Sequence, residues 1–274
     1  MHRAVATDLD GTLLHSDGTI DARTRRVLAE VEATGTMVVL CTARPPGVMR
    51  ALAEATGHRG IAVCSNGAVI WDLHTETAVD EFPLAVTAAR EIVARLRAAL
   101  PEGTWAVQRT HAFAREPGHV PPWPEPEGTT VAEIEALLAA PAINLMMQHP
   151  LLSSDELLGR ARELIGDLGE LCHSSSTHPL LEIQAAGVSK ASGLAALCAR
   201  RGIDSAEVVA FGDMPNDLAM LRWAGRSVAV ANAHPAVIDA ADEVTLSNDE
   251  AGVARVLERL LERGSIGGSV GGAA

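Results

Sequence analysis

The sequence predicts an α/β fold, a doubly wound and mainly parallel sheet interrupted by an inserted α+β module. Three observations carry this. Short apolar runs with β-branched residues (Ala4 to Ala6, Met37 to Cys41, Ile61 to Cys64, Ala206 to Phe211, Val228 to Val230) alternate with amphipathic helical stretches. Acids, a threonine or an Asn-bearing turn follow these runs, at the carboxyl ends where such sheets place their sites. From about Leu84 to Ala186 the texture changes to helices mixed with short, antiparallel-capable strands.

The first run ends in Asp8-Leu9-Asp10-Gly11-Thr12-Leu13-Leu14. If residues 3 to 8 form a buried strand, the period of two sends Asp8 and Asp10 to the same side. Two like charges that close repel unless a divalent cation or a shared proton relieves them. Gly11 can take unusual backbone angles and lets an anion approach the main chain. A solvated turn accounts for the pair equally well. Asp21 then caps a helix with Val27, Leu28 and Val31 on one face. Met37 to Cys41 reads as a strand covered on both faces, stopping at Thr42-Ala43-Arg44. Thr42 alone is an ordinary turn or helix cap, and Arg44 is either an anion contact or an exposed loop arginine. A helix over Val48 to Thr56 closes at Gly57, and Ile61 to Cys64 leads into Asn66-Gly67, a tight turn opening a small hairpin that ends near Glu81.

In the middle third, helices are expected over Val86 to Leu100, Val131 to Ala139 and Ser154 to Asp167. Strands are expected at Trp105 to Arg109, Ala112 to Arg115, Ala142 to Gln148, Leu171 to Ser174 and Leu180 to Gln184. Five prolines between Glu116 and Gly128 exclude a regular element there.

Ser189 caps the next helix, Lys190 to Arg201, and puts Lys190 in its first turn, where the helix dipole disfavours a cation. That placement makes sense beside an anion. Behind the strand Ala206 to Phe211 stands Gly212-Asp213-Met214-Pro215-Asn216-Asp217, ahead of a helix over Asp217 to Ala224. Two acids four apart with an Asn between them form a hard-oxygen cluster, and Mg²⁺ prefers such oxygens. Helix capping by Asn216 is compatible with that role. Asn232-Ala233-His234-Pro235 opens a short helix, Glu243 to Leu246 is a last strand, and a final amphipathic helix starts at Asp249 or Glu250. The glycine-rich tail, Gly264 to Ala274, is expected to be flexible.

Composition narrows the function. At 274 residues and 47% hydrophobic, the chain buries a proper core. Its 22 Lys+Arg against 35 Asp+Glu, a net charge of −13, would repel a nucleic-acid backbone, so no nucleic acid is expected as partner. Cys41, Cys64, Cys172 and Cys198 lack metal-ligand spacing and read as reduced thiols. With no secretory leader and no apolar run of ~20 residues, a cytoplasmic protein without a membrane association is expected, monomer or homodimer.

The Asp8 to Leu14 segment resembles the first motif of the haloacid dehalogenase-like (HAD) superfamily of aspartate-nucleophile phosphatases. Three later segments resemble the remaining motifs in order: the apolar strand closing on Thr42, Lys190 at its helix start, and Gly212 to Asp217. Asn66-Gly67-Ala68 and Asn232-Ala233-His234 resemble segments of the Cof-like branch, and the inserted module its C2B-type cap. Ala191 follows the lysine where the family more often has Gly, and Ala231 stands where it usually has Gly. The resemblance implies a HAD-like core over residues 1–83 and 187–263, a cap over 84–186 and a tail over 264–274. It implies Mg-dependent hydrolysis of a small phosphorylated metabolite. Asp8 would be nucleophile and Asp10 general acid and base, with Mg²⁺ on Asp8, Asp10, Asp213 and Asp217. Gly11, Thr42, Ala43, Lys190 and Asn216 would hold the substrate phosphate. The cap residues Trp105, Arg109, His111, Trp123, Met146, Met147 and His149 are candidates for specificity. A phosphosugar mutase and a catalytically idle ligand-binding homologue are the alternatives.

Overall fold

Ala4–Thr7 (β1) has no exposed side chain and is the axis of the larger sheet. The computed structural model describes residues 1–121, 123–174 and 178–267. After β1 come helix Ala22–Ala33 (α1), strand Met37–Cys41 (β2), helix Met49–Thr56 (α2) and strands Ile61–Cys64 (β3), Val69–Asp72 (β4) and Thr77–Glu81 (β5). Helix Val86–Ala99 (α3) leads into Thr104–Arg109 (β6), Ala112–Arg115 (β7), Thr130–Val131 (β8), the one-turn helix Ile134–Leu137 (α4) and Asn144–Gln148 (β9). Helix Ser154–Ile165 (α5), strands Gly169–Cys172 (β10) and Leu180–Ala185 (β11), and helix Lys190–Arg200 (α6) follow. The chain closes through Val208–Gly212 (β12), Leu218–Trp223 (α7), Arg226–Ala229 (β13), Pro235–Ile238 (α8), Glu243–Val244 (β14) and Gly252–Glu262 (α9).

Among the described residues these strands form two sheets. The larger has the order β14-β13-β12-β1-β2-β3-β4-β5, parallel from β14 to β3 with an antiparallel hairpin at the edge. From β1 the chain first winds outward through β2 and β3, then returns to β12 on the other side of β1. That reversal makes a crevice between the carboxyl ends of β1 and β12, the place where open α/β sheets bind ligands. Helices α1 and α9 pack on each other, as do α6 and α7. Val5, Val39, Val63, Val209 and Val228 are fully buried between the layers, each contributing about 1.5–3 kcal/mol of transfer free energy.

The second sheet, β10-β11-β9-β6-β7-β8, is antiparallel except for the short β7–β8 pair. Trp105, Val107, Leu145, Met147, Leu181 and Ile183 project from one side of it into a core shared with α3 and α5. The opposite side carries Ala106, Phe113, Met146 and Leu180 as a small separate cluster, with Asn144, Glu182 and Gln184 beside them at alternate positions.

Several expectations change. The helix expected over Val131 to Ala139 is only Ile134–Leu137, because Thr129, Thr130 and Val131 favour extended backbone and β8 pairs with β7 instead. The strand expected from Ala142 starts at Asn144, and that expected over Leu171 to Ser174 is Gly169–Cys172. The tail is anchored where it begins: Ile266 is buried and bridges His2, whose N–H donates to Ser265 O at 2.7 Å. The rest of the expected flexible tail, residues 268–274, lies outside the described residues. All four cysteines are free thiols. No helix among the described residues is long and apolar enough to cross a membrane.

Candidate active site

The crevice is built by three chain segments that end beside one another. Asp8 follows β1 and is locked by its own N–H to Phe211 O at 3.0 Å. Asp213 follows β12, and Asp217 ends the single turn beyond it. These three buried acids each offer a carboxylate oxygen within 4.8 Å of the others. Lys190, 1% exposed, enters from the start of α6, where Ser189 and Ser192 cap each other. Its Nζ donates to Asp8 Oδ1 at 2.5 Å and to Asp217 Oδ1 at 2.8 Å. The unfavourable position of a cation at a helix N-terminus is offset by those two carboxylates.

Charge is unbalanced here, with three buried carboxylates against one ammonium. Burial pushes the Asp8 carboxyl well above the usual range, against the pull of Lys190. Burial and the neighbouring Asp217 charge push Asp213 up to about 7. Burial works to lower Lys190, but Asp217 and Asp8 more than offset it and hold the ammonium above its ordinary range. Such crowding fits a hard divalent cation, which would relieve the repulsion on Asp8 and Asp213. Asp217 is placed differently from the other two. One of its oxygens receives Lys190, and the other accepts from the Asp213 and Met214 N–H groups at 3.0 and 3.1 Å.

The surrounding loops are held by side chains. Gly11 has φ +81°, and a Cβ there would fall 2.4 Å from Asp213 Oδ2. Thr12 Oγ1 donates to Asp213 Oδ1 at 2.8 Å. Asn232 Nδ2 donates to Gly11 O at 2.7 Å, while Asn248 donates to Leu14 O and its N–H to Asn232 Oδ1. Asn66 adopts the left-handed conformation, φ 53° and ψ 35°, after β3. The next residue, Gly67 at φ +99°, passes so close to the α6 start that a Cβ would meet Ser189 O at 2.0 Å.

The acids expected to converge do so only in part. Asp8, Asp213 and Asp217 cluster, with Lys190 on Asp8 and Asp217, whereas the Asp10 side chain is 52% exposed and held by Arg44 in a two-pronged ion pair. Thr42 is buried, its Oγ1 accepting from the Arg44 N–H at 3.0 Å, and Ala43 offers only backbone groups. Asn216 donates through Nδ2 to Asn66 Oδ1 at 2.9 Å. Asn66 and Asn232, in segments that resemble the Cof-like branch, and Glu182, which no motif marked, join the constellation through contacts between distant segments. His234 lies alongside, its N–H donating to Asp213 O at 2.8 Å.

The residues proposed for specificity are mostly committed elsewhere. Trp105 and Met147 are fully buried in the second core. Met146 is buried with Phe113, while Trp123 stacks edgewise on Phe113. Arg109 donates to the carbonyls of Leu137, Ala140 and Pro141. His111 packs edgewise on Trp71, and the buried His149 accepts from the Leu151 N–H. Alternation along a strand does not say which side of a sheet the helices will cover.

A carboxylate cluster with one buried lysine, at the switch point of a doubly wound sheet under a second α/β layer, defines a class. The sequence profile of the haloacid dehalogenase-like hydrolases matches residues 5–257, and the chain belongs to that family, in its Cof-like branch with a cap domain. The pyridoxal phosphate phosphatase YbhA of Escherichia coli is 28% identical over 93% of this chain and 97% of its own. The 5-amino-6-(5-phospho-D-ribitylamino)uracil phosphatase YcsE of Bacillus subtilis is 29% identical over 93% and 94%. A solved haloacid dehalogenase-like hydrolase from B. subtilis, 25% identical, superposes with a TM-score of 0.81 over 94% of this chain and 99% of its own. The two named relatives are phosphatases, and the chain is an enzyme of that class, a phosphoric monoester hydrolase.

Proposed function

We propose that this protein is a Mg²⁺-dependent phosphatase that hydrolyses small phosphate monoesters, a phosphorylated sugar or cofactor, through an aspartyl-phosphate on Asp8. The observation that carries the reading is the Lys190 ammonium fixed between Asp8 and Asp217, which orients Asp8 and neutralises charge beside it. The free Asp8 oxygen attacks phosphorus in line with the leaving alcohol. Asp10, at the mouth of the crevice, protonates that alcohol and then takes a proton from the water that cleaves the acyl phosphate. Thr42, the Ala43 and Gly11 backbone and Asn216 surround the phosphoryl oxygens. Asp8, the Asp10 carbonyl and Asp213 would hold Mg²⁺, which offsets charge on the transferring group when bound. Asp217 orients Lys190 and the Asp213 loop, since its own oxygens already accept three hydrogen bonds.

The net charge of −13 and the absence of a basic patch in sequence favour a small metabolite over a nucleic acid. The named substrates of the two relatives, a phosphorylated cofactor and a phosphorylated ribityl compound, set the class to be tried first. A panel of phosphate monoesters with and without Mg²⁺ tests the reading. Asp8→Asn should reduce turnover by about 10³-fold or more while the protein stays folded. Phosphate release by that variant at the wild-type rate would remove Asp8 as nucleophile.

A further inference from the structure

One buried acid has no part in the chemistry above. Glu182, on β11 of the cap, is 3% exposed. Its Oε1 accepts from Asn144 Nδ2 at 3.3 Å, within the cap, and from Asn66 Nδ2 at 3.1 Å, across the boundary to the core. Asn66 Oδ1 in turn accepts from Asn216 Nδ2 at 2.9 Å, one residue before Asp217. The three residues bring together segments 116 and 150 positions apart in sequence.

The direction of each amide in this row is fixed by its neighbour. Asn144 Oδ1 faces the Ile183 backbone N–H at 3.3 Å, a group that can only donate. Asn144 therefore turns its NH₂ toward Glu182, and Glu182 Oε1 must be an acceptor there. Asn66 must then present its NH₂ to Glu182 and its carbonyl to Asn216. Asn216 spends one of its two amide N–H donors on Asn66 and keeps the other, while its Oδ1 is buried with no hydrogen-bond partner among the described residues. An amide otherwise free to flip is thus held one way round by a carboxylate from another layer of the molecule.

We propose that Glu182 is a positioning residue: seated with the cap, it acts through Asn66 to hold the Asn216 amide with its second N–H, and not its carbonyl, toward the phosphoryl site, so that the site is set for turnover when the cap is in place. This rests on the phosphatase reading above. Glu182 contacts neither phosphate nor cation in this role. It supplies hydrogen-bond polarity rather than charge, which distinguishes it from a general base and from a packing residue.

The test is steady-state kinetics of Glu182→Leu, Glu182→Gln, Asn216→Ala and the Leu/Ala double variant on an aryl phosphate, with melting curves for each. Glu182→Leu should lower kcat about 30-fold, the scale expected for a misoriented group, with KM within about 3-fold. Its melting temperature should shift by only a few degrees, because relief of the buried carboxylate's desolvation offsets part of the cost of leaving the Asn144 and Asn66 amides without an acceptor. Glu182→Gln keeps an acceptor toward Asn66 and should stay within about 3-fold of wild type. In the double variant the two losses should not multiply, since both act through one amide. Should Glu182→Leu melt early, Asn66→Gly carries the test: Gly tolerates the left-handed backbone but offers Asn216 no side-chain acceptor, and kcat should again fall about 30-fold. Wild-type kcat in Glu182→Leu or Asn66→Gly, a Gln variant as poor as the Leu variant, or fully multiplicative losses would each overturn the relay. Wild-type protein that releases no phosphate would instead overturn the functional reading on which it rests.

Discussion

Arg44 grips Asp10 with both arms of its guanidinium: Nε lies 2.7 Å from Oδ2 and Nη2 2.5 Å from Oδ1. The Asp10 carboxylate is half exposed, so the fork contributes orientation rather than much stability. A side chain that shuttles a proton at a fixed distance loses rate quickly when it can swing. Arg44→Lys keeps the charge but not the planar pair, and kcat should fall about 10-fold; Arg44→Ala should lose about 100-fold, with melting temperatures near wild type. Rapid kinetics on an aryl phosphate would show it. A Lys variant as fast as wild type would mean the fork has no part in placing Asp10.

Among the described residues Lys190 is the buried cation that pairs with Asp8 and Asp217 in the acid cluster, so truncation leaves carboxylates without a partner. Lys190→Met should destabilise the fold by about 3–5 kcal/mol in denaturant melts and abolish turnover. Adding Asp217→Asn to that variant should return part of the stability, because one of the stranded charges is gone, and none of the activity. Stability unchanged in the single variant would show that solvent reaches the site far more than its burial implies.

Gly11→Ala should fail at two levels. The backbone there is left-handed, and the new methyl would fall on Asp213 Oδ2. We expect a modest loss of stability, about 1–2 kcal/mol, and a larger loss of activity that rising Mg²⁺ only partly restores, since Asp213 must move. Equal Mg²⁺ activation curves for variant and wild type would contradict the close approach.

Much of this architecture was legible because it rests on short-range patterns. Runs such as Met37 to Cys41 are apolar at every position only when both faces are covered, and acids directly behind such runs fall at one edge of the sheet. Ser189 ahead of Lys190 announced the helix start on which the lysine sits. Other features had no local signal. Thr129 to Val131 could enter a helix or a strand, and pairing with β7 decided it. The sides of the cap sheet were equally unreadable, so Trp105 and Met147 were candidates for a site until α3 and α5 covered them. Arg44 with Asp10, and Glu182 with Asn66, depend on which loop ends meet, and no spacing encodes that.

The crowded acids make stability depend on pH in a direction a cation should reverse. Burial and the Asp217 charge hold Asp213 up at about 7, and burial pushes Asp8 up as well, against an ordinary carboxyl value of about 4 in the unfolded chain. Between those values the native protein retains protons that the unfolded chain has released. Stability is therefore fully present below about pH 4 for these two groups and is lost as pH rises through the native value. In chelator, the melting temperature should drop by about 5 °C between pH 5 and pH 8, and Asp213→Asn should flatten that slope. Millimolar Mg²⁺ binds the ionised carboxylates, so it should raise the melting temperature at pH 8 and have little effect at pH 5. Scanning calorimetry of the wild type and Asp213→Asn at both pH values, with and without Mg²⁺, reads all of these at once. A Mg²⁺ shift of equal size at pH 5 and pH 8 would show that Asp8 and Asp213 are not the groups that exchange protons for the cation.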